Sequence, residues 1–113
     1  MLERAAGFQI VAHWIQVVAV DDCPPGTGCE VVAGDQIVAI YNVDGEFFAL
    51  DGICPHQGGP LGKGTLAGCI VTCPWHGWQF NVKTGQHQTN ASIRHTQFPV
   101  QVDGGHVLVD VEG

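Results

Sequence analysis

Apolar and polar residues alternate along this chain in short runs, and clusters of Gly, Pro, Asp and Asn separate the runs. That is the pattern of half-buried β-strands joined by turns. Trp14 to Val20 reads as a first strand. Asp22-Cys23-Pro24-Pro25-Gly26-Thr27-Gly28 is a dense turn cluster, since Pro removes a donor and Gly permits positive φ. Cys29 to Ala33 and the β-branched run Gln36 to Val43 follow, divided by Gly34-Asp35. Asp44-Gly45 is the strongest hairpin signal, because a type I′ turn matches the twist of its flanking strands. Glu46 to Leu50 is the returning strand. Further strands are predicted at Thr65 to Ala67, Ile70 to Thr72, Trp78 to Asn81, His95 to Val102 and His106 to Val111. Gln86 to Arg94 is polar and carries no pattern. No helix-period run exceeds about two turns. The fold class is therefore all-β, with about nine or ten short strands in a small antiparallel β-sandwich or barrel.

Length and charge narrow the setting. The 113 residues predict one domain, 1–113, with no linker, repeat or low-complexity segment. A formal charge of −7 argues against nucleic acid, which requires a basic face, and suits a soluble protein that meets a basic protein partner. Phe8 to Val20 is apolar, but His13 and Gln16 interrupt it, and Asp21-Asp22 stand where small residues would mark a signal-peptide cleavage site. A β-strand is the better reading. No segment approaches the roughly 18 apolar residues of a membrane span, so no membrane partner is expected.

Candidate chemistry concentrates between Cys54 and Trp78. Cys54-Pro55-His56 is followed, after sixteen residues, by Cys73-Pro74-Trp75-His76. Cysteine and histidine lie two positions apart in the first loop and three apart in the second, so each loop can turn both ligands toward one point. The first loop runs into the predicted strand Thr65 to Ala67 and the second leaves Ile70 to Thr72, so the two loops are expected on the ends of neighbouring strands, held on one scaffold. Cys₂His₂ sets also make structural zinc sites, but those pair like with like as C-x₂₋₄-C and H-x₃₋₅-H. Here each loop pairs Cys with His.

The motif C-x-H…C-x-x-H, with Pro after both cysteines and Gly77 after the second histidine, resembles that of the Rieske iron–sulfur proteins. The resemblance is specific mainly from Phe47 to Gly85 and implies a β-sandwich whose two cluster loops, about residues 52–82, form a subdomain at one end. It implies one [2Fe–2S] cluster per chain, with Cys54 and Cys73 on the inner iron and His56 and His76 on the outer. Two neutral imidazoles in place of two thiolates make electron uptake easier, so such clusters lie at about −150 to +300 mV. High-potential relatives add a Ser, a Tyr and a disulfide around the loops. This chain has Trp75, Trp78 and Phe80 beside the second motif and no second Cys in the first loop, which predicts a cluster near roughly −150 mV. Proton uptake on the two imidazoles would make the potential fall as pH rises above their pKa in the oxidised form. Gly58, Gly59, Gly62 and Gly77 let backbone N–H groups approach the sulfides, while Pro55 and Pro74 limit loop motion. For Gly62 an ordinary turn is an equal reading.

Outside the motif, Cys69 reads as a small buried hydrophobe. Cys23 and Cys29 flank the Pro-Pro-Gly turn and could bridge, but thiols are the favoured reading, since chains that ligate metal through thiolates favour a reducing, cytoplasmic compartment. His13, His87, His95 and His106 show no ligand spacing with one another. Trp14, Trp78 and Phe80 are predicted core residues. Trp75, with Pro55, Pro74 and Leu61, is expected to shield the cluster or form an apolar docking rim, and Lys63 and Lys83 flank the segment as solvated turn lysines. No nucleophile–base pair or phosphate loop is visible, so no catalytic residue is assigned. The resemblance implies a Rieske-type ferredoxin that carries single electrons from a flavin-dependent reductase to a terminal oxygenase. A small subunit of an assimilatory nitrite reductase and a zinc-stapled interaction module are the alternatives.

Overall fold

A computed structural model describes residues 13–55, 58–75 and 77–112. Ten strands form among them: β1 (Ile15–Ala19), β2 (Thr27–Ala33), β3 (Gln36–Val43), β4 (Glu46–Asp51), β5 (Thr65–Ala67), β6 (Ile70–Thr72), β7 (Gln79–Asn81), β8 (Gln97–Phe98), β9 (Val100–Asp103) and β10 (His106–Val109). They make three antiparallel sheets, ordered β2-β3-β4-β8, β9-β10-β1 and β5-β6-β7. Short 3₁₀ turns at Val20–Asp22 and Leu61–Lys63 complete the regular structure.

β3 is the axis. Side chains along a strand alternate between faces, and here the alternation separates two cores. Val38 and Ile40 join Cys23, Ala33, Ala49, Val107 and Val109 in one core, toward the β9-β10-β1 sheet. Ala39, Tyr41 and Val43 join Leu50, Leu61, Val71, Phe80 and the cysteines Cys54 and Cys73 in the other, toward the β5-β6-β7 sheet. The adjacent residues Ala49 and Leu50 of β4 likewise enter opposite cores. The four-stranded sheet is therefore covered on both faces, as the β-branched run of β3 requires.

The β3–β4 hairpin forms as its sequence predicts. Asp44 (φ 53) and Gly45 (φ 94) both take the left-handed conformation of a type I′ turn. Asn42 Oδ1 accepts the Gly45 N–H at 2.7 Å and secures the turn.

Several boundaries differ from the sequence expectations. The first strand ends at Ala19, and Val20 instead opens a 3₁₀ turn whose start is tied to the final hairpin through Val20 N–H to the Gly105 carbonyl at 2.9 Å. The second strand begins at Thr27 rather than Cys29, because Thr27 and Gly28 pair with Asn42 and Tyr41. The single strand predicted over His95 to Val102 is split: β8 pairs with β4 in the central sheet, and β9 pairs with β10 in another. Pro99 stands at the break, where its missing N–H interrupts a ladder. Trp14 is half-buried rather than core.

Gln86–Arg94, patternless in sequence, folds around its own side chains. Gln86 Nε2 donates to the carbonyls of Ala91 (2.8 Å) and Ile93 (3.1 Å). His87 Nδ1 accepts the N–H groups of Thr89 and Asn90, each at 3.2 Å. Ile93 then packs against the core beneath the metal loops.

Candidate metal centre

The first loop leaves β4 at Asp51, whose Oδ1 accepts the Ile53 N–H at 2.9 Å. Cys54 N–H donates to the Gly59 carbonyl, and Gly58 N–H to the Cys54 carbonyl, both at 2.9 Å. An Ile53–Pro60 bridge and a Leu61 N–H to Gly52 carbonyl bond of 3.0 Å close the neck below. The buried hydroxyl of Tyr41 donates to the Leu61 carbonyl at 2.8 Å, fixing the end of the loop to the central strand.

The second loop leaves β6 at Thr72 and rejoins β7, with Cys73 N–H donating to the Trp78 carbonyl at 2.8 Å. The first loop runs into β5 and the second leaves β6, and these strands are neighbours as expected, with Thr65 opposite Thr72. The loops also meet directly. A Cβ on Gly59 would lie 2.8 Å from Cys73 Sγ and 2.9 Å from Trp75 Cβ, closer than packed atoms approach, so only glycine lets the first loop lie on the second.

Cys54 and Cys73 are 2 % and 1 % exposed and share one core with Tyr41, Leu61, Val71 and Phe80. None of the five cysteines is in a disulfide. Burial, followed by the negative charge of Cys73, Cys29 and Cys54, pushes the Tyr41 phenol well above its ordinary range. This donor set suits a group that takes two thiolates: two buried sulfurs on interlocked loops, with a glycine cradle where a side chain would intrude. His56 and His76, the remaining candidate ligands, lie outside the described residues. Among the described residues no group of three or more His, Cys, Asp or Glu is placed to hold a metal ion elsewhere.

The rim is apolar and open. Trp75 is 50 % exposed and Ile53 41 %, with Pro55 and Pro74 also exposed. Leu61, expected in this rim, is instead fully buried, and Ile53 takes its place. Trp78 and Phe80 are core residues as predicted, Phe80 fully buried and Trp78 packed beside it. Gly62 belongs to the 3₁₀ turn below the loop, and Lys83 lies over the Phe48 ring with Nζ 5.9 Å from its centroid.

Sequence reasoning missed three supporting residues. Tyr41 is one. His95 is buried, and its Nε2 donates to the Asp51 carbonyl at 2.7 Å where the first loop begins. His87 meets the rings of Trp78 and Phe80 edge-on, at 4.7 and 5.2 Å. Only the alternation around Tyr41 marked any of them, as core and nothing more.

Comparison with known proteins decides the family. A profile of the Rieske [2Fe-2S] domain matches residues 13–102. The chain belongs to the Rieske [2Fe–2S] family. Within it, this Rieske chain is 38 % identical over 101 residues to the ferredoxin component of the alkene monooxygenase system of Xanthobacter autotrophicus, covering 88 % of this chain and 83 % of that one. It is 39 % identical over 94 residues to the biphenyl dioxygenase ferredoxin subunit of Pseudomonas sp. strain KKS102, covering 81 % and 86 %. It also resembles a chain in the complex of reduced oxygenase and oxidized ferredoxin of carbazole 1,9a-dioxygenase, with a TM-score of 0.78, 36 % identity, and 86 % and 92 % of the two chains covered. The Rieske chain is accordingly an electron carrier of the ferredoxin type with one [2Fe–2S] cluster, and not itself an enzyme. Among the described residues no helix is long and apolar enough to cross a membrane.

Proposed function

We propose that Cys54, His56, Cys73 and His76 hold the cluster, and that the chain carries single electrons in the cytoplasm from a flavin-dependent reductase to a terminal oxygenase. The observation that carries the ligand assignment is the pairing of the buried Cys54 and Cys73 on loops that meet at Gly59. The partner assignment is supported by relatives that are ferredoxin components of monooxygenase and dioxygenase systems.

When bound, the cluster takes up and releases one electron. The chain's part is to hold the ligands still and to dry one side of them. Leu61, Val71 and Phe80 exclude water from the cysteine side, while hydrogen bonds from Cys54 and Cys73 N–H close each loop on itself. Tyr41 ties the end of the first loop to β3, and His95 ties its start at Asp51 to the segment before β8, so that little structure has to move when charge changes. Trp75, Ile53, Pro55 and Pro74 offer a partner a small apolar surface suited to brief contact.

Purification, iron and acid-labile sulfide analysis, and electron paramagnetic resonance of the reduced protein test the reading together. Two irons and two sulfides per chain, lost on Cys54→Ser and His76→Ala, are expected. A colourless zinc protein would overturn it, and obligate co-purification with a large reductase subunit would overturn the free-carrier reading.

A further inference from the structure

Charge is unevenly placed along this chain. Residues 52–102 contain no Asp or Glu and carry Lys63, Lys83 and Arg94. All 11 Asp and Glu residues lie outside that stretch, with Arg4 as the one cation beside them. The formal charge of −7 is therefore a property of the rest of the chain.

The fold turns this division into layers. Both metal loops, the 3₁₀ turn Leu61–Lys63, the β5-β6-β7 sheet and residues 86–94 come from the carboxylate-free stretch and cover the Tyr41 face of the central sheet. β1 and the β9-β10 hairpin cover the opposite face. That far layer, with the 3₁₀ turn after β1 and the chain after β10, holds Asp21, Asp22, Asp103, Asp110 and Glu112. Glu30, Asp35, Asp44, Glu46 and Asp51 stand in the central sheet and its turns.

Lys63, Lys83 and Arg94 are all exposed. Between described residues the one ion-pair contact joins His13 Nε2 to Glu112 Oε1 at 4.0 Å, in the far layer, so no carboxylate neutralises these three cations. Glu30 approaches Lys63 without pairing with it: a Cβ on Gly62 would lie 3.0 Å from Glu30 Cα. Asp51 turns its Oδ1 to the Ile53 N–H instead.

Screening decides which charges a partner feels. Stacked sheets lie about 10 Å apart, so the two outer layers are about 20 Å apart, against a screening length of about 8 Å at physiological salt. A protein seated on Trp75, Ile53, Pro55 and Pro74 meets the cations of the metal layer and is shielded from the carboxylates of the far one. Net charge alone favours a basic partner. Its placement reverses the sign.

Taking the chain as the carrier proposed above, we infer that its metal-loop face docks an acidic protein surface on the electron acceptor, one whose carboxylates meet Lys63 and Arg94 around an apolar centre at Trp75. The far layer acts in the same sense. Its carboxylates repel an acidic surface from the side remote from the metal, which leaves the productive orientation favoured.

Two haem proteins of opposite surface charge test this: cytochrome b5, with carboxylates around its haem edge, and cytochrome c, with lysines. The cluster-loaded full chain is reduced and mixed with each by stopped flow at physiological salt. Lys63→Glu/Arg94→Glu is expected to react about threefold more slowly than wild type with cytochrome b5, and no more slowly with cytochrome c. Asp21→Lys/Asp103→Lys, in the far layer, is expected to leave the cytochrome b5 rate unchanged. Equal changes with the two cytochromes, or slowing with cytochrome c alone, overturns the proposal and leaves the carrier reading standing. A wild-type chain without the visible absorbance of a cluster overturns the carrier reading itself. Iron content and circular dichroism are matched first, and Lys63→Gln/Arg94→Gln gives the same sign if the reversal variant does not fold.

Discussion

The Tyr41 hydroxyl donates to the Leu61 carbonyl at 2.8 Å, joining the central strand to the end of the first metal loop twenty positions away. Both groups are buried, so the bond has no water to replace it. Gly64 N–H also donates to the Leu61 carbonyl at 3.0 Å, so Tyr41→Phe removes one of its two bonds, which costs about 0.5–1.5 kcal/mol. Denaturant unfolding should show that loss, and iron release to a chelator should quicken. An unchanged midpoint would remove Tyr41 from the loop's support.

Tyr41 is the only tyrosine in the chain, so its titration can be watched alone. Its pKa is raised in the folded state, chiefly by burial. Above a pH of about 10 the unfolded chain releases the phenol proton and the folded chain keeps it, so stability falls as pH rises; below that value Tyr41 contributes no pH dependence. Tyrosinate absorbance should stay silent until the chain unfolds, and Tyr41→Phe should flatten the alkaline decline. A folded-state titration near the ordinary value contradicts the burial argument.

Gly59→Ala places a methyl 2.8 Å from Cys73 Sγ and against the Trp75 side chain. Overpacking of this kind costs about 1–3 kcal/mol. Because the strain falls between the two loops, cluster occupancy after expression should drop more than secondary structure changes. Iron content and circular dichroism of the same sample check this, and full iron content would show that the loops have room to part.

Trp75→Ala should leave stability within about 0.5 kcal/mol, since half the side chain already faces water. Electron exchange with the terminal oxygenase should slow, because exposed aromatic anchors dominate small interfaces. Stopped-flow reduction of the partner at several concentrations is the measurement. An unchanged second-order rate moves the docking surface away from Trp75.

The cluster should have a reduction potential near roughly −150 mV. The structure adds a reason: the one phenol beneath the loops donates to Leu61, leaving its proton unavailable to a cysteine sulfur. Protein-film voltammetry giving a value above zero would sink this prediction.

Local chemistry was legible in the sequence, and long-range pairing was not. Asp44-Gly45 announces its hairpin because two positive φ angles in a row demand those residue types. The Cys-x-His and Cys-x-x-His loops stand out by their spacing. Pro99 was visible too, but that it hands the chain from the central sheet to another depends on partners fifty positions away in β4. Leu61 looked like an exposed rim residue because its neighbours are loop residues; only the approach of Tyr41 buries it. His95 and His87 gave no signal, since a single polar residue in an irregular segment acquires a role only from what the fold sets opposite it.

β3 is hydrogen-bonded along both edges and covered on both faces. Its amides can meet solvent only when the whole molecule opens, whereas the loop at Cys54 is held to it through Gly52 N–H on the Ile37 carbonyl and Tyr41 on the Leu61 carbonyl, and the loop at Cys73 hangs from β6 and β7. Loss of the metal is therefore expected to loosen the loops and leave the central sheet folded.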